Sequence, residues 1–290
     1  MVPGAIGLTP FEPSHLDGAH RLSREAGWPH RREDWATVLS LGQGTVALRE
    51  GRVAGTVMVT PLGRGATVSL VIVDAALRGH GLGRRLMEAA IAACGAREAR
   101  LIATPEGLPL YRKLGFRDTH EVRQHQGIVS PASGARAEAG VEWAGEGDLA
   151  AIGATDAAAL ELDRAALLQV LARDGRIAVL RRGGRVLGYG ALRPFGRGEV
   201  VGPVVAANEG VARAILGFLI DARAGAFVRV DTPAYPTLGP WLAERGLVEV
   251  DGGVAMRRPG SDPVSSYPDP STPAGTPAFQ VFALASQALG

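Results

Sequence analysis

Short runs rich in apolar and β-branched residues mark the strands of the first half. They are Ile6 to Pro10, Thr45 to Arg49, Val53 to Thr60, Ala66 to Asp74 (ATVSLVIVD), Ala99 to Thr104 and Phe116 to Gly127. Glu50-Gly51-Arg52 joins two of them as a hairpin. Between the runs the spacing turns helical. Leu16 to Ala26 and Glu33 to Leu41 predict helices, and after Ala66 to Asp74 a stripe of Leu82, Leu86 and Ala90, flanked by Met87, Ile91 and Cys94, predicts an amphipathic one. Leu108 to Leu114 predicts a short helix closed by Gly115 at C′.

The pattern then recurs. Gly51-Arg52-Val53-Ala54-Gly55 matches Gly184-Arg185-Val186-Leu187-Gly188 at an offset of 133, and Pro109 to Phe116 (PLYRKLGF) matches Pro240 to Leu247 (PWLAERGL) at 131. Two ordered matches, reconciled by a two-residue deletion, point to duplication of one domain, not to a short-period solenoid. The expected organisation is a domain over residues 1–127, a linker of small polar residues over 128–140, a second domain over 141–258, and a Pro-rich tail over 259–290. The tail ends in the apolar FQVFALASQALG, which is expected to dock as a strand on a sheet edge.

Composition narrows the function classes. The 290 residues are 46% apolar and 21% charged, which is globular. Lys113 is the single lysine, so no Gly-Lys-Ser/Thr triplet exists and a Walker-A nucleotide site is excluded. The arginine preference fits a GC-rich bacterial genome. The lone Cys94 excludes an intramolecular disulfide or a cysteine zinc cluster and fits a reducing, cytoplasmic setting; its helical stripe predicts burial. No apolar run reaches the ~18 residues of a membrane span, and the first residues do not read as a signal peptide. Net charge is +2 with scattered arginine doublets, which gives no support for nucleic-acid binding. The six histidines show no metal-ligand spacing, so no metal is expected.

The chemistry concentrates in Val71 to Ala90, VIVDAALRGHGLGRRLMEAA. A buried strand enters a turn with Gly79, Gly81 and Gly83, which opens a helix. First-turn amides lack intrahelical acceptors and the helix dipole adds positive potential, so this is a phosphate or pyrophosphate site, with Arg78 and Arg84 adding donors. The glycine spacing is one residue too tight for a Rossmann fingerprint.

The set Arg78-x-x-Gly81-x-Gly83, followed downstream by Leu110-Tyr111-Arg112-Lys113-Leu114-Gly115-Phe116, resembles the GNAT superfamily of acyl-CoA N-acyltransferases. The second half resembles, more weakly, the degenerate domain of tandem acetyltransferases. The resemblance implies an α/β (α+β) fold of two GNAT-like domains, each a mixed, mostly antiparallel sheet flanked by helices. It implies acetyl-CoA as co-substrate, with pyrophosphate held by the amides of Gly79, His80, Gly81, Leu82, Gly83 and Arg84, and pantetheine beside the backbone of Val71 and Val73. An amide near Val73 would polarise the thioester carbonyl. Tyr111 would act as general acid toward the departing thiolate. The acceptor is expected to be a small-molecule or protein amine. The base is left open: Glu25 and His30 are the candidates, with Glu33 and Asp34 in the same region, and Asp34 equally suits a helix start. Oligomeric state is not legible.

A constant offset of 131 places Glu209-Gly210-Val211-Ala212-Arg213-Ala214 opposite Arg78 to Gly83, and Leu242 opposite Tyr111. A carboxylate and two methyl groups at an anion site predict one functional CoA site per chain. The second copy either walls the acceptor cleft or mediates assembly. The leading function is N-acetylation of a primary amine; the alternative is a non-catalytic acyl-CoA sensor or scaffold.

Overall fold

The computed structural model of the chain describes residues 6–131, 140–160, 162–261 and 278–290. The first copy runs β1 (Gly7–Pro10), α1 (Leu16–Glu25), α2 (Arg32–Leu41), β2 (Gln43–Arg49), β3 (Arg52–Leu62), β4 (Gly65–Val73), α3 (Leu82–Cys94), β5 (Glu98–Ala103), α4 (Leu108–Lys113) and β6 (Arg117–Ile128). The second repeats that order: β7 (Val141–Trp143), α5 (Leu149–Leu160), α6 (Ala165–Asp174), β8 (Arg176–Arg182), β9 (Arg185–Phe195), β10 (Gly198–Ala206), α7 (Glu209–Asp221), β11 (Phe227–Pro233), α8 (Leu238–Ala243) and β12 (Val248–Arg258). A last strand, β13 (Gln280–Ala283), completes the chain's order. Pairing is mostly antiparallel; β4–β5 and β10–β11 are the parallel pairs among the described residues.

The two copies do not keep separate sheets. The described strands form one thirteen-stranded sheet in which β12 lies between β5 and β6, and β6 lies between β12 and β11. Each copy therefore lends its last strand to the other. The exchange is extensive: β6 pairs with β11 from Ile128↔Phe227 to Val122↔Pro233, and β12 pairs with β5 from Val254↔Ala103 to Arg258↔Ala99. The expected linker begins later than its composition predicts, because β6 continues to Ile128 and Val129 is buried with its amide on the Ala226 carbonyl (2.9 Å). Residues 132–139 of that linker and the Pro-rich 262–277 lie outside the described residues.

On one face of the sheet, α1, α2, α5 and α6 share a single core that includes Leu22, Trp35, Ile152, Leu171 and Tyr189. On the other face each copy keeps its own: α3 packs through Leu82, Leu86, Met87 and Ala90, and α7 through Ile215, Leu216 and Leu219. Cys94 is buried with the α3 core, and burial pushes its thiol pKa up to about 11, as its stripe predicts. Asp34 closes the start of α2 by accepting from the Arg31 amide (2.8 Å) and also accepts from the Gly196 amide in the β9–β10 turn (3.0 Å), while Arg31 reaches the Pro194 carbonyl (2.9 Å). Burial opposes the Asp34 charge, yet these hydrogen bonds hold its carboxyl below the usual range. The helix-start charge of the sequence is thus also a clasp between the copies.

The apolar tail docks, but not on an edge. β13 pairs antiparallel with the end of β10 (Val204↔Ala283, Val205↔Val281, Ala206↔Gln280), and the Leu284 amide donates to the Asp231 carbonyl on β11 (2.8 Å). It therefore fills the gap where β10 and β11, paired at Glu199↔Val228 and Val200↔Arg229, part company. An internal fork satisfies backbone groups on both sides of the added strand, which an edge cannot do. The buried Arg164–Asp156 pair (2.5 Å) anchors the chain end beyond β13, with Arg164 donating to the Gly290 carbonyl oxygen (2.8 Å). Phe282 is 2% exposed and stacks on Tyr235 at 4.9 Å. Phe282→Ala is expected to cost about 3–5 kcal/mol in urea unfolding; a change below about 1 kcal/mol would show that the tail is not part of the core.

Candidate functional site

The corresponding fork of the first copy is open. β4 and β5 pair only at Gly65↔Glu98, Ala66↔Ala99 and Thr67↔Arg100, and the rest of β4 has no partner on that side among the described residues. The opening coincides with an irregularity in β4. Its register against β3 shifts between Thr56 and Met58, and Leu70 takes φ +51°, a left-handed conformation rare for leucine. The Thr56 hydroxyl pins it by donating to the Leu70 carbonyl (2.8 Å). Strain held this way, in a buried strand, marks a site whose backbone must point in a set direction.

A cleft of about 680 Å³ runs from this fork over the turn between β4 and α3. Val71, Val73, Arg78, Gly79, Gly81, Leu82 and Gly83 all line it, as does Tyr111. Gly79 and Gly81 adopt φ +81° and +78°, which only glycine takes freely. Gly83 differs: it is helical, and a methyl there would meet protein no closer than 3.6 Å. Its missing side chain keeps the cleft open without relieving any contact inside the chain. Arg85 is the first α3 amide to find a helical acceptor, on Gly81 (3.1 Å), so the amides before it are free to hold an anion.

Two residues of the turn do not line the cleft with their side chains. His80 folds its Nδ1 onto the Arg78 carbonyl (2.8 Å), and Arg84 pairs with Glu88 (2.9 Å). The Val73 carbonyl, expected beside pantetheine, accepts from Arg78 Nε (3.2 Å). Tyr111 is buried, and burial pushes its pKa up to about 12, so the phenol stays protonated. Its ring packs so closely over Gly107 that a Cβ there would sit 2.6 Å from it.

A second pocket of about 290 Å³ adjoins the cleft; Trp28, Thr104, Asp251 and Gly252 line both. His30 lies in it, and its Nδ1 is shut off without a hydrogen-bond partner. Burial, then the neighbouring Arg229, lower its pKa to about 4, so the imidazole is neutral and a weak base at neutral pH. Glu25 is corrected as a base: it lines neither cavity and its exposed carboxylate is paired with Arg21 (2.8 Å) on the outer face of α1. Of the remaining acids in that region, Asp34 is the clasp between the copies. The second copy supplies Phe195, Arg197, Arg229 and Asp251 to the pocket. Sequence reasoning missed these four, because no local pattern says that the two copies join in one sheet through β6 and β12.

Acetyltransferase (GNAT) domain models match this chain twice, over residues 40–118 and 152–266. An N-acetyltransferase of Bacillus subtilis (strain 168), YitH, itself uncharacterized, is 30% identical over 98% of this chain and 98% of its own. The chain belongs to the GNAT acetyltransferase family. Among solved structures, a candidate acetyltransferase of Pyrococcus horikoshii superposes with a TM-score of 0.74 at 20% identity, covering 98% of this chain and 96% of that one. A tandem GNAT protein from the clavulanic acid biosynthesis pathway gives 0.59 at 16% identity, covering 91% and 100%. These likenesses concern the fold, and they agree with two GNAT domains in one chain.

The second GNAT domain lacks the first one's anion turn. Eight residues, 74–81, separate β4 from α3, whereas two, 207 and 208, separate β10 from α7. The constant offset of 131 is therefore wrong here: it is 133 up to β10 and 127 at the start of α7, so Glu209 stands opposite Leu82 and nothing stands opposite Arg78. The α7 start is also self-satisfied, with the Asn208 side chain capping the Val211 amide (3.0 Å) and Glu209 paired with Arg213 (2.6 Å). At the short helix the offset returns to 131: Phe116 N–H donates to Tyr111 and Leu247 N–H to Leu242 (3.0 and 3.1 Å), which sets Leu242 where Tyr111 is. Metal binding gains no support, since no cluster of metal-ligating side chains occurs among the described residues. Nor is any described helix long and apolar enough to cross a membrane.

The depressed pKa of His30 carries a stability signature. The unfolded imidazole takes a proton near pH 6.5 while the folded one resists until about pH 4. Stability from this group is thus complete above pH 6.5 and falls as pH drops toward 4. The unfolding free energy of His30→Gln is expected to decline less steeply over that window than that of the unsubstituted chain. Parallel declines would show that His30 is not held neutral.

Proposed function

We propose that the protein transfers an acetyl group from acetyl-CoA to a primary amine, at one site per chain in the first GNAT domain. The observation that carries this reading is the meeting, in one cleft, of the open β4–β5 fork, the glycine turn with unpaired amides and the protonated Tyr111. The second domain offers none of the three: its fork is filled by β13, its turn is deleted and its tyrosine is Leu242.

The chain's residues divide the work. The turn from Gly79 to Gly83, with Arg78, receives the pyrophosphate. The unpaired edge of β4 past Leu70 hydrogen-bonds the pantetheine arm, and a β4 amide polarises the thioester carbonyl. Holding thioester and amine side by side at the junction of the two cavities converts the reaction to a near-intramolecular one. The amine nitrogen bonds to the carbonyl carbon and the C–S bond breaks. Tyr111 delivers its proton to the departing sulfur and regains one from the nitrogen that has become the amide. A phenol with a raised pKa stays loaded for this step across the neutral range. His30, neutral and weakly basic, shapes the acceptor pocket.

Tyr111→Phe is expected to lower kcat by about 10²-fold or more with little change in the KM for acetyl-CoA. An unchanged kcat would remove Tyr111 from the mechanism. Gly83→Ala should fold at least as stably, because the methyl makes only ordinary van der Waals contact, 3.6 Å from Leu110, yet bind acetyl-CoA at least about tenfold more weakly, roughly 1.4 kcal/mol. Calorimetric titration should give one acetyl-CoA per chain; two equivalent sites would refute the assignment to the first domain. Binding with no turnover of any amine would favour a non-catalytic acyl-CoA sensor.

A further inference from the structure

The acceptor pocket has an uneven distribution of uncompensated charge. Among its ionisable lining groups, Arg229 is neutralised by a two-bond pair with Asp231 (both 2.9 Å), and His30 is uncharged. Two charges are left. Arg197, in the β9–β10 turn, is exposed and has no hydrogen-bond or ion-pair partner among the described residues. Asp251, on β12, receives one hydrogen bond at Oδ1 from the Gly252 amide (2.8 Å), while Oδ2 has no partner among the described residues. The wall also carries the neutral polar side chains of Gln124, Gln126 and Ser69, whose buried hydroxyl is itself unpartnered.

The positions of the two charges are not equivalent. Asp251 is the one ionisable side chain lining both the acceptor pocket and the cofactor cleft among the described residues. It sits where the register of β12 against β6 shifts, between Glu249 and Asp251, a bulge that re-aims a side chain out of the regular alternation. Arg197 lines the pocket but not the cleft. A ligand that answers both charges therefore puts a cation at the cleft and an anion away from it.

Resting on the acetyltransferase reading of the cleft, we propose that the acceptor is a small zwitterionic amine, with Asp251 as the catalytic residue that receives its ammonium and Arg197 binding its anionic group. Asp251 takes one proton from the ammonium and passes it to water. The free amine then forms the C–N bond as the C–S bond breaks, and its second departing proton balances the one Tyr111 gives to sulfur. The second GNAT domain thereby supplies both specificity charges to the first. The anion is a carboxylate or a phosphate, either of which a guanidinium binds through paired hydrogen bonds.

Matched acceptors test this: 4-aminobutyrate against butylamine, phosphoethanolamine against ethanolamine, and a lysine-containing peptide. One anion-bearing amine is expected to exceed its partner lacking the anion by about tenfold or more in kcat/KM, and the pair with the larger ratio identifies the anion. Arg197→Gln should bring that ratio close to one. Asp251→Asn should lose about 10²-fold or more in kcat with alkylammonium acceptors but much less with hydroxylamine, which is uncharged at neutral pH and needs no prior deprotonation. Equal rates within the pairs, turnover of the peptide alone, or a ratio unmoved by Arg197→Gln would overturn the proposal. So would an equal loss with hydroxylamine in Asp251→Asn, or acetyl-CoA binding without turnover of any member. Failure to bind acetyl-CoA at all would instead overturn the reading on which it rests.

Discussion

The second pocket depends on the exchange of β6 and β12. Two duplicated domains set side by side would meet through side chains alone. Here they meet through backbone ladders at the centre of a single sheet, with β12 held between β5 and β6 and β6 between β12 and β11. Backbone pairing fixes register as well as proximity, because a slip of one residue would turn every side chain to the opposite face. The pocket beside the cleft is built across this seam. Trp28 and His30 come from the first domain, Arg229 and Asp251 from strands of the second, and Asp34 ties the β9–β10 turn, which carries Arg197, to α2.

The second domain keeps the fold of the first while lacking the features that line the first domain's cleft. The strand fork is kept, since parting β10 from β11 follows from the same sheet geometry. Its contents have changed. A six-residue deletion removes the turn that would hold an anion, and Asn208 and Glu209 satisfy the helix start from within. β13 then occupies the gap, turning unpaired backbone that would otherwise need a ligand into ordinary ladder. The apolar end of the tail announces that it docks as a strand, but nothing local says that it docks inside the sheet and not on its edge.

Local features were legible. The glycine turn, the Tyr111 segment and each strand and helix of the first domain follow from period and turn chemistry, and the duplication from two short matches. The features that escaped sequence reading are non-local. Strand exchange leaves no mark in sequence, because β12 has the same alternation whichever neighbour it pairs with. The shifting offset was invisible because the two matches used to set it flank the deletion. Asp251 lies in VEVDGG, which carries no recognisable motif, and only the bulge and the crossing bring it to the junction of the two cavities. Glu25 had the right neighbourhood and the wrong helix face: its i,i+4 pairing with Arg21 was available from the sequence and argued for solvent.

The two forks invite one more comparison. The second is completed by the polypeptide itself, so that half of the sheet is finished as soon as the chain has folded. The first leaves β4 beyond Thr67 without a strand partner on its β5 side among the described residues, and on the proposed reading the pantetheine arm would lie there as a further strand. In that sense the co-substrate is a missing structural element of the first half, as β13 is a resident one of the second. On the proposed reading the molecule would be asymmetric in its dependence on supply: one half stands complete whatever the metabolic state, and the other would gain its last rung by mass action, to an extent set by the free ligand over its dissociation constant.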